Sequence, residues 1–378
     1  MADPPWLRPT WAEIDLDAIR HNTALLAAHV APAQLCAVVK AWAYGHGPVE
    51  VSRAAIEGGA TWLAVALVEE GSRLRRAGIE APILVLSEPP AAAMVEVAGA
   101  NLTPTLYTVA GAEAAAAAAR AVHRSRPLPV HVKVDTGMHR VGTTAAGALD
   151  VADAVNRTPE LLLEGLWTHL AVADEPEDAY TGEQLEAFAK VAGTLDERGM
   201  RPALLHAANS AGAIWHPGAR LDMVRCGIAM YGLAPALGRP GCEGLRPAMA
   251  LKSRVSYVKP LAAGQRVSYG LNWRAGRDTV LATVPLGYAD GVPRRLSANG
   301  GDALIGGRRC PMAGTITMDQ LMVDCGPGAD VRPGDEVVLI GRQGNEEITA
   351  WEWAERCDTI GYEVVCGVSA RVPRIYLP

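Results

Sequence analysis

The sequence predicts an α/β protein of two domains, an N-terminal (β/α)8 barrel and a mainly β C-terminal domain. Three observations carry this. Eight short apolar runs precede Gly232. Ala/Leu/Glu/Arg-rich stretches of helical character separate them. After the Pro/Gly-rich segment 237–247 the texture becomes Val-rich and turn-rich, as expected of strands joined by tight turns.

The runs, in order, are "LCAVVK" at 35–40, "TWLAVA" at 61–66, "PILVLS" at 82–87, "LTPTLYT" at 102–108, "VHVKVD" at 130–135, "EGLWTHL" at 164–170, "ALLHAAN" at 203–209 and "LDMVRCG" at 221–227. Strands buried on both faces read as continuous apolar runs, and eight of them alternating with helices close most simply into a barrel. A doubly wound open sheet is the competing reading. It is weakened because no GxGxxG follows the first run. The alanine tract Ala114–Ala119 is helix, since alanine has the best helix propensity. Beyond 247, "SRVSYV", "QRVSYG", "TVLATVPLGYADG", "LMVDCG" and "DEVVLIG" read as strands and turns. The expected barrel covers 10–238 and the second domain 239–378, with residues 1–9 packing on the second domain.

The chain has 378 residues, 49% of them hydrophobic, with Phe188 its single phenylalanine. Leu, Val, Ile and Ala must therefore fill the core. A net charge of −6 without basic or acidic blocks gives no footprint for nucleic acid or an anionic membrane. No window is apolar enough to span a bilayer, and "MADPPWLRPTW" lacks the basic and apolar regions of a secretory signal. Seven scattered cysteines without a CxxC pair fit reduced thiols better than a disulfide frame or a zinc site. A cytoplasmic protein without a metal centre is expected.

Barrel active sites collect at the C-terminal ends of the strands. Run one ends in Lys40. Run five carries Lys133 and Asp135, followed by "TGMHR". Run six ends in Thr168 and His169, run seven in Asn209 and Ser210, and run eight in Arg225, followed by Gly227. Each alone has an ordinary reading. Lys40 is then a rim lysine reaching water, His169 a buried histidine, Arg225 an ion-pair partner, and Asn209 with Ser210 a helix cap. Together they exceed what a structural rim needs.

Barrels often bind phosphate in the loops after strands seven and eight. Here those loops supply Asn209, Ser210 and the amides of Gly227 and Ile228. A lysine across the rim, a histidine and an arginine suggest pyridoxal 5'-phosphate, whose aldehyde needs a lysine for a Schiff base and whose phosphate needs amides and hydroxyls. Tyr44 could add a phenolic hydrogen bond.

The chain resembles the alanine racemase family, barrel-type (fold-type III) pyridoxal-phosphate enzymes, over nearly its whole length. The motifs are "AEIDLDAIRHN" (12–22), "AVVKAWAYGHG" (37–47), "KVDTGMHRVG" (133–142), "GLWTHLAVADE" (165–175), "HAANSAG" (206–212), "MVRCGIAMYG" (223–232), "VSYG" (267–270), "VPLGYADG" (284–291), "GTITMDQLMVD" (314–324), "TIGYEVVC" (359–366) and "RVPRIY" (371–376). The resemblance implies that Lys40 bonds the cofactor and that His169 stacks on its ring. It implies that Tyr44, Ser210, Gly227, Ile228 and Tyr362 hold the phosphate, supported by Asn209, and that Arg225 faces the pyridine nitrogen. Arg140 would contact the ring hydroxyl and the substrate carboxylate. Tyr269, the second acid/base, and Met318, near the substrate, would come from the partner subunit of a homodimer. Lys133, which matches an often carbamylated lysine that orients Arg140, Tyr288 and Asp319 would have supporting roles.

Racemisation removes a proton from one face of Cα and returns one to the other, so acid/base groups are needed on opposite faces. Lys40 and Tyr269 would be that pair, with positive neighbours lowering the tyrosine from its usual pKa of about 10. Arg225 stays charged and only donates, so a ring nitrogen facing it remains an unprotonated acceptor. The electron sink is thereby weakened and transamination disfavoured. Three positions depart from the family pattern: Trp42, where Asn, Asp or a small residue is usual; His139, where Gly is usual; and Thr315, where Arg is frequent.

The expected activity is interconversion of L- and D-alanine, supplying D-alanine for cell-wall synthesis. Rival readings are a racemase of serine or of a broad range of amino acids, a non-catalytic pyridoxal-phosphate-binding protein, and a barrel-type decarboxylase. The last would place a carboxylate where Arg225 stands.

Overall fold

The computed structural model describes residues 7–378. The expected packing of residues 1–9 falls mostly on 1–6, outside the described residues. The chain divides into two compact units. Of the described residues, one comprises 17–43 and 48–246, the other 7–16, 44–47 and 247–378.

The first unit is the barrel. Its eight parallel strands are Gln34–Val38, Trp62–Val65, Ile83–Val85, Thr103–Leu106, Leu128–Lys133, Leu161–Trp167, Leu204–His206 and Met223–Cys226, here strands one to eight. They lie in sequence order, and strand eight returns to pair with strand one in parallel. Every expected run overlaps one of them, and strands one, five and six begin one, two and three residues before their runs. Strands two, three, four, seven and eight are buried at every residue, because helices cover the outer face and side chains fill the inner one. Strands seven and eight form no ladder. That seam is closed by two backbone bonds, from Asp222 N to Leu205 O and from Arg225 N to Ala208 O, each 3.0 Å. Two of the barrel helices, Val109–Ala121 and Ala145–Asn156, start at a threonine: Thr108 and Thr144 each accept a backbone N–H three residues on, the usual cap of an orphan helix donor.

In the other unit a seven-stranded sheet runs Arg308–Pro311, Asp302–Ile305, Glu336–Gln343, Met249–Arg254, Thr10–Asp15, Arg374–Leu377, with Glu346–Ile348 added to Glu336–Gln343. A three-stranded sheet joins Tyr257–Leu261, Thr279–Val284 and Leu321–Asp324. Thr10–Asp15 corrects the expected barrel limit of 10. It pairs antiparallel with Met249–Arg254 and parallel with Arg374–Leu377, so the barrel begins only after it. Arg8 reaches the buried carboxylate of Asp290 at 2.8 Å in the same unit.

Residues 44–47 also belong to this unit. Arg374 donates to the Gly45 carbonyl at 2.9 Å. Glycine is required on either side of His46, since Gly45 and Gly47 have φ of 83° and 101°, and a Cβ on them would lie 2.3 Å from Val365 O and 1.9 Å from the Tyr376 hydroxyl.

Candidate active site

The barrel interior beneath its C-terminal rim is polar and aromatic rather than aliphatic. Arg225, on strand eight, is almost wholly buried and has no carboxylate partner among the described residues. Nη1 bonds His206 Nδ1 at 2.8 Å. Nη2 donates to Thr168 O at 2.8 Å and to Ala207 O at 2.9 Å, and meets His169 Nδ1 at 3.2 Å. Its Nε makes no hydrogen bond among the described residues. The guanidinium lies 4.5 Å from the centre of the Trp167 ring, which also faces the Lys133 ammonium at 4.3 Å. Burial lowers Arg225 to about 10, which leaves it fully charged at neutral pH.

Arginine only donates, so His206 Nδ1 must accept and the His206 proton sits on Nε2. That atom meets His131 Nδ1 at 2.9 Å. The same logic puts the His131 proton on Nε2, which faces Glu164 Oε2 at 3.4 Å, long for a direct hydrogen bond. A directed chain therefore runs from Arg225 through two histidines toward a carboxylate. Burial and the Arg225 charge push His206 well below the usual imidazole range. Burial lowers His131 as well, with Glu164 partly opposing it. Both rings are neutral at pH 7. Trp167 stacks on His206 with ring planes 9° apart.

Lys133, at the end of strand five, is 3% exposed. Burial first, then the charges of Arg225 and Arg140, bring its amine down to about 7, with Lys40 acting the same way and Asp135 opposing. His169 is driven well below its usual value by burial and by Arg225, Lys133, Arg140 and Lys40. Four of the sequence-selected cations thus act on one histidine.

After strand seven, Asn209 caps the helix Ser210–Trp215, its side chain accepting from Gly212 N at 2.9 Å. The Ser210 hydroxyl accepts from Gly227 N at 2.9 Å, which joins the two loops chosen from sequence. Ile228 follows in the turn of 3-10 helix Ile228–Tyr231.

The chain leaves Lys40 in a left-handed turn. Ala41, Trp42, Ala43 and Tyr44 have φ of 53°, 57°, 52° and 50°. Each costs roughly 1–2 kcal/mol relative to a right-handed turn, least for Asn, Asp and Gly. That accounts for the usual residues at position 42 and makes Trp42 an expensive choice. His139 is the same case, with φ 55° where glycine is usual.

In the other unit, Tyr44 and Tyr362 approach with ring centres 6.3 Å apart. Tyr269 is 73% exposed, and its carbonyl accepts from the Thr315 hydroxyl at 2.8 Å. Thr315 thus ties the Tyr269 turn to the loop bearing Met318. That loop is held in turn by Tyr288 N donating to Thr317 O at 3.0 Å and Ala289 N to Met318 O at 3.1 Å. Asp319 binds Arg371 at 2.7 Å. Met318 and Tyr288 are exposed.

His131, Glu164, Trp167 and His206 were not among the residues selected from sequence. Each stands inside an apolar run, where a histidine or tryptophan reads as core. The period of two that puts His131 and Lys133 on one strand face was the available signal.

Fold and site together define an α/β-barrel enzyme that collects basic groups at the barrel mouth and adds a strand-rich second unit. The model of the alanine racemase N-terminal domain matches residues 14–235, and that of the C-terminal domain 248–376. The chain belongs to the alanine racemase family, and it is an isomerase. It is 50% identical to an alanine racemase of Symbiobacterium thermophilum over 98% of this chain and 97% of that protein. It is 44% identical to one of Thermobifida fusca over 97% of each. The crystal structure of alanine racemase from Streptomyces lavendulae, a D-cycloserine producer, superposes with a TM-score of 0.92 at 39% identity, covering 99% of this chain and 98% of that one. The Bacillus anthracis alanine racemase crystallised with bound L-Ala-P matches with the same score and identity over 99% of this chain and 96% of that one.

Proposed function

We propose that the chain interconverts L- and D-alanine with pyridoxal 5'-phosphate, using Lys40 and Tyr269 as acid/base groups on opposite faces of the substrate Cα. The observation that carries this reading is the charge pattern around Arg225. A buried arginine without a carboxylate partner among the described residues keeps Nε as a spare donor, and Lys40 and Arg140 add positive charge nearby. This donor set suits an anionic aromatic ligand with an acceptor nitrogen. A decarboxylase-like site would need a carboxylate there instead.

When bound, the cofactor supplies an aldehyde for the lysine or substrate amine and a ring that withdraws electrons from Cα. The rest is the chain's work. Lys40 anchors the group and exchanges the Cα proton on its own face. Arg225 would face the ring nitrogen as a donor and, holding its own proton at neutral pH, would keep that nitrogen unprotonated. His169 packs on the ring. The Ser210 hydroxyl, the Gly227 and Ile228 amides and the phenols of Tyr44 and Tyr362 take the phosphate, with Asn209 supporting. Arg140, oriented by Lys133, takes the substrate carboxylate.

Tyr269 and Met318 act from a second copy in a homodimer. Both are exposed, as are Leu271, Tyr288 and Ile360 in the same unit, and this apolar exposure supports an interface formed by that unit. Asp319, bound to Arg371, braces the loop. Among the described residues no helix is long and apolar enough to cross a membrane. A cytoplasmic enzyme supplying D-alanine to cell-wall synthesis is the setting that suits the reading.

The test is to incubate purified protein and cofactor with L-alanine, L-serine and L-lysine and to measure each D-isomer. D-alanine is expected to form fastest. Fast turnover of another amino acid without alanine would sink the substrate assignment.

A further inference from the structure

The left-handed turn after Lys40 is gripped from outside by the helix Val68–Arg76, whose residues none of the roles above uses. The Glu70 carboxylate accepts three backbone N–H groups: Ala41 N at 2.7 Å on Oε1, and Ala66 N at 2.9 Å and Leu67 N at 3.1 Å on Oε2. Ala41 directly follows Lys40. Ala66 and Leu67 follow strand two. One carboxylate therefore ties the exit of strand two to the exit of strand one. Three residues along the same helix face, the Arg73 guanidinium lies 4.4 Å from the centre of the Trp42 ring. Glu70 and Arg73 thus hold consecutive members of the turn, one by its amide and the other by its indole. Both held residues have positive φ.

We propose that Glu70 and Arg73 are positioning residues for Lys40, a clamp that keeps the left-handed turn closed and so fixes where the lysine amine stands. The claim rests on the reading of Lys40 as a proton-transfer group and deepens it. Two observations favour a clamp over a plain helix cap. A cap needs only the Leu67 amide, whereas Oε1 is given over to Ala41. Three donors and no acceptor also face the carboxylate, so an ionised acid satisfies them all. A glutamine would turn its NH2 against one of the amides. Trp42 supplies the second grip, which explains how a bulky residue is tolerated at φ 57°.

The experiment uses Glu70→Gln, Arg73→Ala and Trp42→Asn, singly and as the pairs Glu70→Gln/Trp42→Asn and Arg73→Ala/Trp42→Asn. Three quantities are read: kcat and KM of the holoenzyme, the thermal midpoint, and the pH dependence of Lys40 labelling by trinitrobenzenesulfonate in cofactor-free protein, followed by peptide mapping. Glu70→Gln is expected to lower kcat about tenfold, about 1.4 kcal/mol of barrel-mouth positioning, with KM changed less than threefold. It is also expected to shift the pH midpoint of Lys40 labelling. Asparagine adopts the left-handed conformation readily, so Trp42→Asn should return at least threefold of the kcat lost in Glu70→Gln. Additive effects of the two changes, or an unmoved labelling profile with a lower thermal midpoint, would reduce Glu70 to a helix cap and overturn the proposal. Should Glu70→Gln fail to fold, Arg73→Ala and its pair with Trp42→Asn leave the cap intact and decide the matter by the same two readouts. Lys40 labelling does not depend on turnover, so the clamp and the assigned activity stand or fall separately.

Discussion

His131 Nδ1 and His206 Nε2 meet at 2.9 Å inside the barrel, and both rings are fully buried. Each ring is held neutral while the unfolded chain has ordinary imidazoles near pKa 6.5. Above pH 6.5 the rings are neutral in both states and add no pH dependence. Below it the unfolded chain binds protons that the folded one refuses, so stability falls as pH falls, by up to about 1.4 kcal/mol per pH unit for each group. Denaturant midpoints from pH 8 down to pH 5 are expected to show this decline. His131→Gln should flatten it by one proton's worth and lower the pH 8 stability by about 1–3 kcal/mol. An unchanged slope would mean that His131 titrates normally in the fold.

Lys133 carries the second pH signature. Its folded value of about 7 lies far below the ordinary 10.5, so stability declines as pH falls from the upper value toward the lower. Near neutrality much of the amine is uncharged and nucleophilic among cations, the condition in which it adds carbon dioxide with loss of one proton. The resulting anion would offset Arg140 and Arg225. Protein prepared without carbon dioxide is expected to lose activity and to regain it with bicarbonate. Labelled bicarbonate should give one carbamate carbon signal by NMR, absent in Lys133→Met, whose kcat should fall about tenfold. A lysine that takes up no label rules the carbamate out.

Proton exchange in heavy water separates the two acid/base groups. Tyr269→Phe is expected to lower racemisation about 10²–10⁴-fold while still exchanging the α-proton of one alanine enantiomer. Exchange of both enantiomers at the original rate would remove Tyr269 from proton transfer. Mixing inactive Lys40→Ala and Tyr269→Phe chains and allowing subunits to re-pair should restore activity, since one site per mixed dimer then has both groups. No recovery would mean that Tyr269 serves its own chain.

Gly287 sets the position of the Met318 loop. A Cβ there would lie 2.3 Å from Thr317 O and 2.5 Å from Met318 O. Gly287→Ala must push the loop outward, at about 1–3 kcal/mol, and is expected to raise KM. Gly276→Ala, with nothing within 4 Å of its new Cβ, is the control. Equal stability and KM in both variants would show that the loop yields freely.

The barrel was legible because strands covered on both sides leave continuous apolar runs, and each of the eight runs overlaps a strand. The assignment of Thr10–Asp15 was not legible. Its partners, Met249–Arg254 and Arg374–Leu377, are more than two hundred residues away in the chain, and nothing in "TWAEID" announces them. Lys40, Lys133, His169, Ser210 and Arg225 could be picked out because polar groups interrupt apolar runs at one end. His131 and His206 could not, because a histidine flanked by apolar residues on both sides within a run reads as core. That Trp42 and His139 stand where a bulky residue is costly became physical only with φ known, since a positive φ leaves no mark on a single sequence.

The chain is acidic overall, with a formal charge of −6, yet Lys40, Lys133, Arg140 and Arg225 crowd close enough to depress one histidine together. Such an island of opposite sign acts beyond contact distance, over roughly the 10 Å that dilute salt leaves unscreened. Capture of a phosphorylated ligand by the empty protein then becomes a matter of ionic strength: loading should be quick in dilute buffer and slow as salt rises, whereas release, governed by contacts already made, should scarcely respond.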